Sequence, residues 1–537
     1  MVMNLEELAD KYFAKGNLYE AEDLYKRLLS KNPNNANALH KLGFINLGKQ
    51  DYDNAEMLLD ASLKIAGNID TLKLLAYVKE KKFQLYDAIV MYEKVLELEP
   101  SEELFVIVGN LYIQLELYDN ATKLAEDYVQ KFPTILAYRR LFLIYLNLAK
   151  EFSLKALYEE IQEKFPNKGL MFNLVGMYKE HVERDYKSAI SYYEKAFKAG
   201  VSIAGFDLAQ CYRRIGNFDE AEKSCKKVLA TYPNKNDVFN LLAEIYFLQK
   251  KMRKGYKFYL SRELNPDILG LKNKWDGKEY PGKTILVISD INDMNTIRNV
   301  RFIELLKNSF ENIVVASAST MESFLIANNF KTIPLSKIFD EKYDRYVLLS
   351  ELQYYLNIAF ENLPKPKQYL KSTKVELKED GMKVALFWKA PGDSMKALKE
   401  QSIDVTKYLN KLFDIEGINY YSFQTGDIFE TLDKYPSIID LSKKIENIED
   451  MAKYISSMDL VISIDSTILH LAGALGVPSI ALLPQNSSWY WFNNDNKTEW
   501  YQNMQIIRQD KGKDWDSVSN KVIERVIKDN AKYQKIK

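Results

Sequence analysis

The residues best suited to chemistry in this 537-residue chain are Asp465, Ser466, Thr467, His470 and Gly473. They lie within residues 458–478, MDLVISIDSTILHLAGALGVP, after an apolar run at Leu460-Val461-Ile462 and before a second at Ser479–Leu483. Helical spacing holds over residues 468–475, and Gly476-Val477-Pro478 stops the helix. Strand, loop, helix, turn and strand follow one another with almost no spare residues, as in one βαβ unit. The polar cluster falls where strand gives way to helix. Unpaired backbone N–H groups and the positive end of the helix dipole there favour a phosphate or another anion. Ser466 and Thr467 add hydroxyl donors. Gly473 is expected to leave room for close approach, and His470 to face the same ligand from the first helical turn. An ordinary helix cap uses the same residue types. Position decides for a ligand site: the chain has three histidines, and this one stands at the carboxyl end of a strand, where open α/β sheets bind ligands.

The rest of the second half supplies elements to hold this unit. After residue 262, Pro266, Trp275-Asp276-Gly277 and Pro281-Gly282 mark a linker over 263–282. Residues 284–289 (TILVIS) read as a buried strand and 295–306 as a helix, with short strands at 313–316, 332–334 and 346–349. That alternation implies a parallel sheet. Residues 364–378 are charged, carry Pro364 and Pro366, and suit a hinge. A second set begins at 384–388 (VALFW) and continues through 420–424 (YYSFQ) and 438–441 to the polar cluster. Two Rossmann-like halves, 283–370 and 371–537, are expected to enclose a ligand cleft.

The first half has a different logic. Pro33, Pro100, Pro133, Pro166 and Pro233 are spaced by one or two multiples of 33 to 34 residues, the period of helix–turn–helix tetratricopeptide units. The clearest copy carries Leu208-Ala209, Tyr212, Gly216, Phe218, Ala221, Cys225, Val228 and Pro233; the first carries Ala9, Tyr12, Gly16, Tyr19, Ala21, Tyr25 and Pro33. About eight units fill residues 1–262, the fifth and eighth degenerate. Tyrosines and small residues read as packing between helices, and the groove of such an array binds a polypeptide. The fold class is therefore an α-helical repeat array followed by an α/β region.

Bulk properties narrow the function. Lys plus Arg and Asp plus Glu are both 74, and no basic tract argues for nucleic acid. Two cysteines and three histidines exclude a disulfide framework and a Cys/His zinc cluster. The amino terminus reads as an amphipathic helix rather than a signal peptide, and no apolar run reaches the ~18–20 residues of a membrane span. A cytoplasmic location is expected.

Residues 459–476 resemble the motif "DLVI.vDT..aHLAGALG" of glycosyltransferase family 9, the heptosyltransferase-like group of GT-B fold. Further matches follow in order. Trp275-Asp276-Gly277 precedes Gly282-Lys283-Thr284-Ile285-Leu286, as in tetratricopeptide-fused members. Trp388 resembles the family's "vWaG" strand end, with Gly392 near the missing glycine, and Ser422-Phe423-Gln424 resembles "SLQ". Trp489-Tyr490-Trp491 resembles "WRW", and Glu499-Trp500-Tyr501, Met504 and Arg508-Gln509 resemble "sPWYp.mrlfRQ". Some bacterial proteins of this joint architecture glycosylate flagellin. The resemblance thus implies a GT-B enzyme that takes a nucleotide-sugar donor, uses no metal or other cofactor, and transfers to Ser or Thr of a polypeptide.

In that chemistry Asp465, Ser466, Thr467 and His470 would hold the donor phosphate. Lys389, with Lys396 or Lys399, would add positive charge. Gln424 and Asp440 would reach base or ribose, and Trp500 would wall the cleft or sit in the core. The catalytic base is the point of departure. The family's first-strand loop, like "EQGLGDTIQFARY", aligns with residues 290–302, where both glycines are gone and Asn295 stands at the Asp position. An amide cannot take a proton from a hydroxyl at neutral pH. Either Asp293 or Asp290 takes the role, or the base lies elsewhere, or the domain binds without catalysing. Three readings stand: a protein glycosyltransferase, a decayed scaffold that binds nucleotide sugar or a partner protein, and a lipopolysaccharide-type transferase. ADP-heptose and CMP-linked nonulosonic acid both suit the anion site.

Overall fold

The computed structural model describes residues 4–49, 51–233, 235–261, 270–390, 401–425, 429–492, 496–510 and 515–536. The chain divides into two compact units, Met1–Pro166 and Asn167–Lys537. That boundary falls inside the repeat array rather than at its expected end near residue 262.

The first unit holds ten repeat helices in five antiparallel pairs, from Leu5–Ala14 with Leu18–Lys31 to Ile135–Asn147 with Glu151–Lys164. The first helix of each pair starts on a side-chain cap: Asn4, Asn35, Asn68, Ser101 and Thr134 each accept a first-turn backbone N–H. Within a pair, small residues let the helices cross closely; a Cβ on Gly43 would lie 2.6 Å from Leu59. The turn between the two helices needs a left-handed residue. Gly16 supplies it in the first pair, while Phe83, Glu116 and Ala149 adopt it in later pairs without being glycine. Each such residue costs roughly 1–2 kcal/mol, which pair packing offsets. The fifth pair therefore folds like the others although its sequence has drifted; Ala149 takes the turn at φ +52°.

The second unit begins with six repeat helices, Gly169–His181 to Met252–Tyr259. The last pair is not a separate cap. Ala243, Phe247, Met252 and Tyr256 share one hydrophobic core with the α/β region, and the Phe247 ring lies 4.2 Å from that of Trp489. Part of the expected linker is also core: Trp275 is buried, donates its indole N–H to the Lys278 carbonyl at 2.7 Å, and packs edge-on against Phe310.

Strands β1 (Tyr280–Ile288), β2 (Phe310–Ser317), β3 (Thr332–Pro334) and β4 (Arg345–Leu348) form a parallel sheet in the order β3-β2-β1-β4. β1 starts four residues before the apolar run that announced it. Strands β5 (Met382–Phe387), β6 (Ile418–Ser422), β7 (Ile439–Asp440), β8 (Leu460–Ile464), β9 (Ser479–Leu483) and β10 (Met504–Arg508) form a second parallel sheet, ordered β10-β9-β8-β5-β6-β7. From β5 the chain winds outward through β6 and β7, then returns to the other side of β5 for β8. That is the doubly wound Rossmann order, with its switch point between β5 and β8. An α-helical repeat array followed by two parallel α/β sheets is consistent with a GT-B type region.

The segment read as a hinge is pinned at both sides. Tyr369 and Leu370 donate their backbone N–H groups to Ala474, and the Tyr369 hydroxyl donates to the Ile297 carbonyl at 3.0 Å. Arg301 adds bonds to the Pro364 and Trp500 carbonyls.

Candidate functional site

The site grows from the switch point. β5 and β8 pair with Phe387 opposite Ser463, so Trp388 and Lys389 leave one strand end beside the loop Asp465-Ser466 that leaves the other. Helix Thr467–Ala474 follows at once. Ser466 is its N-cap: the hydroxyl accepts the Leu469 N–H at 3.2 Å and lies 2.8 Å from the Ser463 hydroxyl. Capping stops there. The N–H groups of Thr467 and Ile468 and the Thr467 hydroxyl have no hydrogen-bond partner among the described residues. Such orphan donors at a helix start favour an anion in general.

His470 does not face this opening. The helix is buried from Ile468 to Ala474, wedged between its own sheet and helix Asp293–Asn299, so beyond Thr467 its side chains, His470 included, point inward. The imidazole is fully buried, with Nδ1 2.6 Å from the Tyr501 hydroxyl and Nε2 3.3 Å from Asp465. Burial holds its pKa below the usual histidine range, against the opposing pull of Asp465. A neutral ring therefore donates one N–H and accepts at the other nitrogen.

Asp465 is the residue this histidine serves. Its second carboxylate oxygen accepts the Ser488 and Tyr490 hydroxyls, each at 2.9 Å. Burial would raise its pKa, but the hydrogen bonds from His470 and Tyr490 more than offset that and hold the group ionised. Gly473 likewise serves the interior: a Cβ there would lie 2.4 Å from the Tyr501 ring, so the missing side chain makes room for tyrosine and not for a ligand.

Gln424 is also structural. Its side-chain oxygen accepts the Trp388 and Lys389 N–H groups, and its nitrogen donates to the Lys389 carbonyl, tying the ends of β5 and β6 together while itself buried. Trp388 and Trp500 are buried in the core, and Asp440 caps its own turn by accepting the Ser442 N–H. Lys389 is exposed at the strand end. Lys396, Lys399 and Gly392 lie outside the described residues.

Opposite stands the loop after β1. Asp290 accepts both the N–H and the hydroxyl of Ser350, at 3.1 and 2.5 Å. Asp293 opens helix Asp293–Asn299, is half-buried, and accepts one hydrogen bond, from Thr320 at 3.0 Å. Asn295 donates its amide to Asn292, the N-cap of that helix. Among the described residues no group of three or more His, Cys, Asp or Glu side chains is placed to hold a metal ion.

The glycosyltransferase family 9 (heptosyltransferase) pattern matches residues 438–516, and tetratricopeptide repeat patterns match 7–68 and 183–245. The chain carries tetratricopeptide repeats and a family 9 glycosyltransferase domain. That combination supports glycosyltransferase activity, and the repeats suggest interaction with another protein. Among solved structures, the chain is similar to a tetratricopeptide repeat protein from Parabacteroides merdae at 19% identity and TM-score 0.34, covering 44% of this chain and 96% of that one. A repeat protein part from Cytophaga hutchinsonii gives 17% identity and TM-score 0.33, covering 44% and 98%. Yeast Tom70 gives 19% and 0.35, covering 46% and 55%. No curated protein matches. No helix among the described residues is long and apolar enough to cross a membrane.

Sequence reasoning missed the supports inside the family 9 segment. Tyr490 and Tyr501 had been legible only as matches to the family pattern, and Ser488 carried no signal. Arg298 was missed too. Its guanidinium is buried 3.9 Å over the Tyr490 ring, near Trp489 and Trp500, and its Nε and Nη1 have no hydrogen-bond partner among the described residues. Cation–π contact of about 0.5–2 kcal/mol per ring offsets part of that desolvation.

Proposed function

We propose that this chain is a protein glycosyltransferase that moves a sugar from a nucleotide-sugar donor to a Ser or Thr hydroxyl of a polypeptide bound by the repeats. The family resemblance makes flagellin the first acceptor to try and the cytoplasm the expected compartment. One observation carries the donor side: the unpartnered N–H groups of Thr467 and Ile468 and the Thr467 hydroxyl stand at the switch point of a Rossmann sheet, inside the family 9 segment. They would take the leaving phosphate without a metal, with Lys389 beside them. Asp465 positions this turn and does not contact the donor in this reading.

Asp293 is the base we assign. Helix Asp293–Asn299 packs against helix Thr467–Ala474, and each follows the carboxyl end of a parallel strand, so both helix starts belong to the same side of their sheets. Asp290 is engaged twice by Ser350, whereas Asp293 keeps an oxygen with no partner among the described residues. A carboxylate so placed takes the acceptor proton as the sugar transfers. The loss of both loop glycines and the aspartate-to-asparagine change at Asn295 favour the second reading, a binding scaffold.

The test is a thermal-shift screen of nucleotides and nucleotide sugars, followed by transfer to flagellin. Ligand at about 100 times Kd stabilises by ~2.7 kcal/mol. Thr467→Val with Lys389→Ala is expected to lose the shift. Asp293→Asn is expected to keep it and lose transfer. No shift from any nucleotide would reject the enzyme reading, and transfer surviving in Asp293→Asn would reject the base.

A further inference from the structure

A second opening lies on the same sheet, away from the switch point. It is a cavity of about 470 Å³ beyond the carboxyl ends of β9 and β10, within the second unit. Its floor is the loop after β9, including Gln485 and Asn486, and the residues after β10, Gln509 and Asp510. Its wall is the end of the repeat helix Ser202–Arg214, with Arg213 and Arg214, and Lys521 stands on helix Asp516–Ile536. β9 and β10 are the two strands beyond β8, so the midpoint between them lies two strand spacings, roughly 10 Å, from the β5/β8 switch point.

Among the described residues the lining carries four cations, Arg213, Arg214, Arg508 and Lys521, against one acid, Asp510. Arg214 pairs with Glu180 at 3.1 Å; Arg213 lies 3.8 Å from Glu244, and Lys521 3.8 Å from Asp510. Arg508 has no carboxylate partner among the described residues. Its guanidinium donates to the Pro484 carbonyl, the Ser487 hydroxyl and the Phe492 carbonyl, all uncharged. Burial lowers its pKa. Its donors are engaged in holding the loop, so it acts through its field, leaving Arg213 and Lys521 with loosely held heads to make contacts.

An anion would complete this site, and the lining indicates which kind. The apolar members are aliphatic: Ile215, Leu248, Ile506 and Ile507. Among the described residues the lining has no aromatic face for a nucleobase to stack on. The wall comes from a repeat array, whose usual ligand is an extended chain. The volume fits a side chain with its flanking backbone. We propose that this cavity binds an acidic side chain, Asp or Glu, of the polypeptide that the repeats hold. The inference rests on reading the repeats as polypeptide-binding, and it makes acidity near the acceptor residue a determinant of which protein is chosen.

The experiment is direct binding to the full chain by fluorescence anisotropy, with fluorescein-labelled hexaglutamate as probe and hexalysine and hexaserine as controls. Hexaglutamate alone is expected to bind, and Arg213→Ser with Lys521→Glu to weaken it at least tenfold while the melting curve stays in place. If that double variant does not fold, Lys521→Glu alone replaces it; this side chain is half exposed, and a threefold loss is expected. No binding of hexaglutamate, or binding unchanged in the variants, overturns the proposal. Displacement of the probe by ADP or GDP overturns it as well, because the cavity is then a nucleotide site. No nucleotide shift and no transfer by the unaltered chain, with hexaglutamate binding intact, would refute the enzyme reading and leave this one standing.

Discussion

Gly473→Ala should destabilise the α/β region, and the structure states why. The new methyl would stand 2.4 Å from Cδ1 and Cγ of Tyr501, against ordinary carbon contacts of about 3.5–4.0 Å, so the ring must move by about 1 Å. Tyr501 is itself buried, and overpacking of such a site costs about 1–3 kcal/mol. The same shift stretches the 2.6 Å contact between the Tyr501 hydroxyl and His470, and a buried group left unsatisfied costs about 1–3 kcal/mol more. Alanine returns about 1 kcal/mol of helix propensity over glycine. The net expectation is a loss of about 1–5 kcal/mol. All six tryptophans lie between residues 275 and 515, so urea unfolding followed by tryptophan fluorescence reports this region without the repeats of the first unit. A midpoint equal to that of the parent would refute the account of Gly473. In a Tyr501→Leu background the alanine should become neutral or stabilising; the same penalty there would place the clash elsewhere.

Tyr501→Phe keeps the ring and removes only the hydroxyl, so it should cost about 1–3 kcal/mol by the same fluorescence measurement, and a neutral result would mean His470 has another partner. Stability should also fall with pH in a defined window. The buried imidazole of His470 has a folded pKa below its unfolded value of about 6.5, so the unfolded chain binds the proton first and stability drops as pH falls below about 6.5. Asp465, with its folded pKa lowered, remains charged through that window and contributes a loss only below its unfolded value near pH 4. His40, half-buried in the first unit, carries the same sign as His470. In the fluorescence-detected transition, His470→Asn should flatten the dependence between pH 6.5 and 5, and an unchanged slope would assign it to other groups. Finally, a chain beginning at residue 263 should aggregate or melt early, because it lacks Phe247 and Tyr256 from the shared core, whereas one beginning at residue 167 should fold; equal behaviour of the two would contradict the shared core.

Much of the fold was legible because it is periodic. Repeats of 33 to 34 residues announce themselves, and a βαβ unit without spare residues leaves its strands little freedom in register; β9 spans the predicted Ser479–Leu483. The failures have one physical source. A polar residue beside a strand end looks the same in sequence whether its partner is a ligand or another side chain, and the deciding partner is remote. His470 is answered by Tyr501, Gly473 by the same ring, and Gln424 by the backbone of Trp388 and Lys389. Each is an interior contact that no local spacing announces. Thr467 and Lys389 remain outward for the complementary reason: one begins a helix before its first turn closes, and the other follows the last paired residue of a strand. In a buried helix of eight residues only the start is open to a ligand, so in the proposed function this motif would act through its backbone N–H groups and first hydroxyl, while its histidine meets Asp465 and Tyr501 and its glycine makes room for the Tyr501 ring.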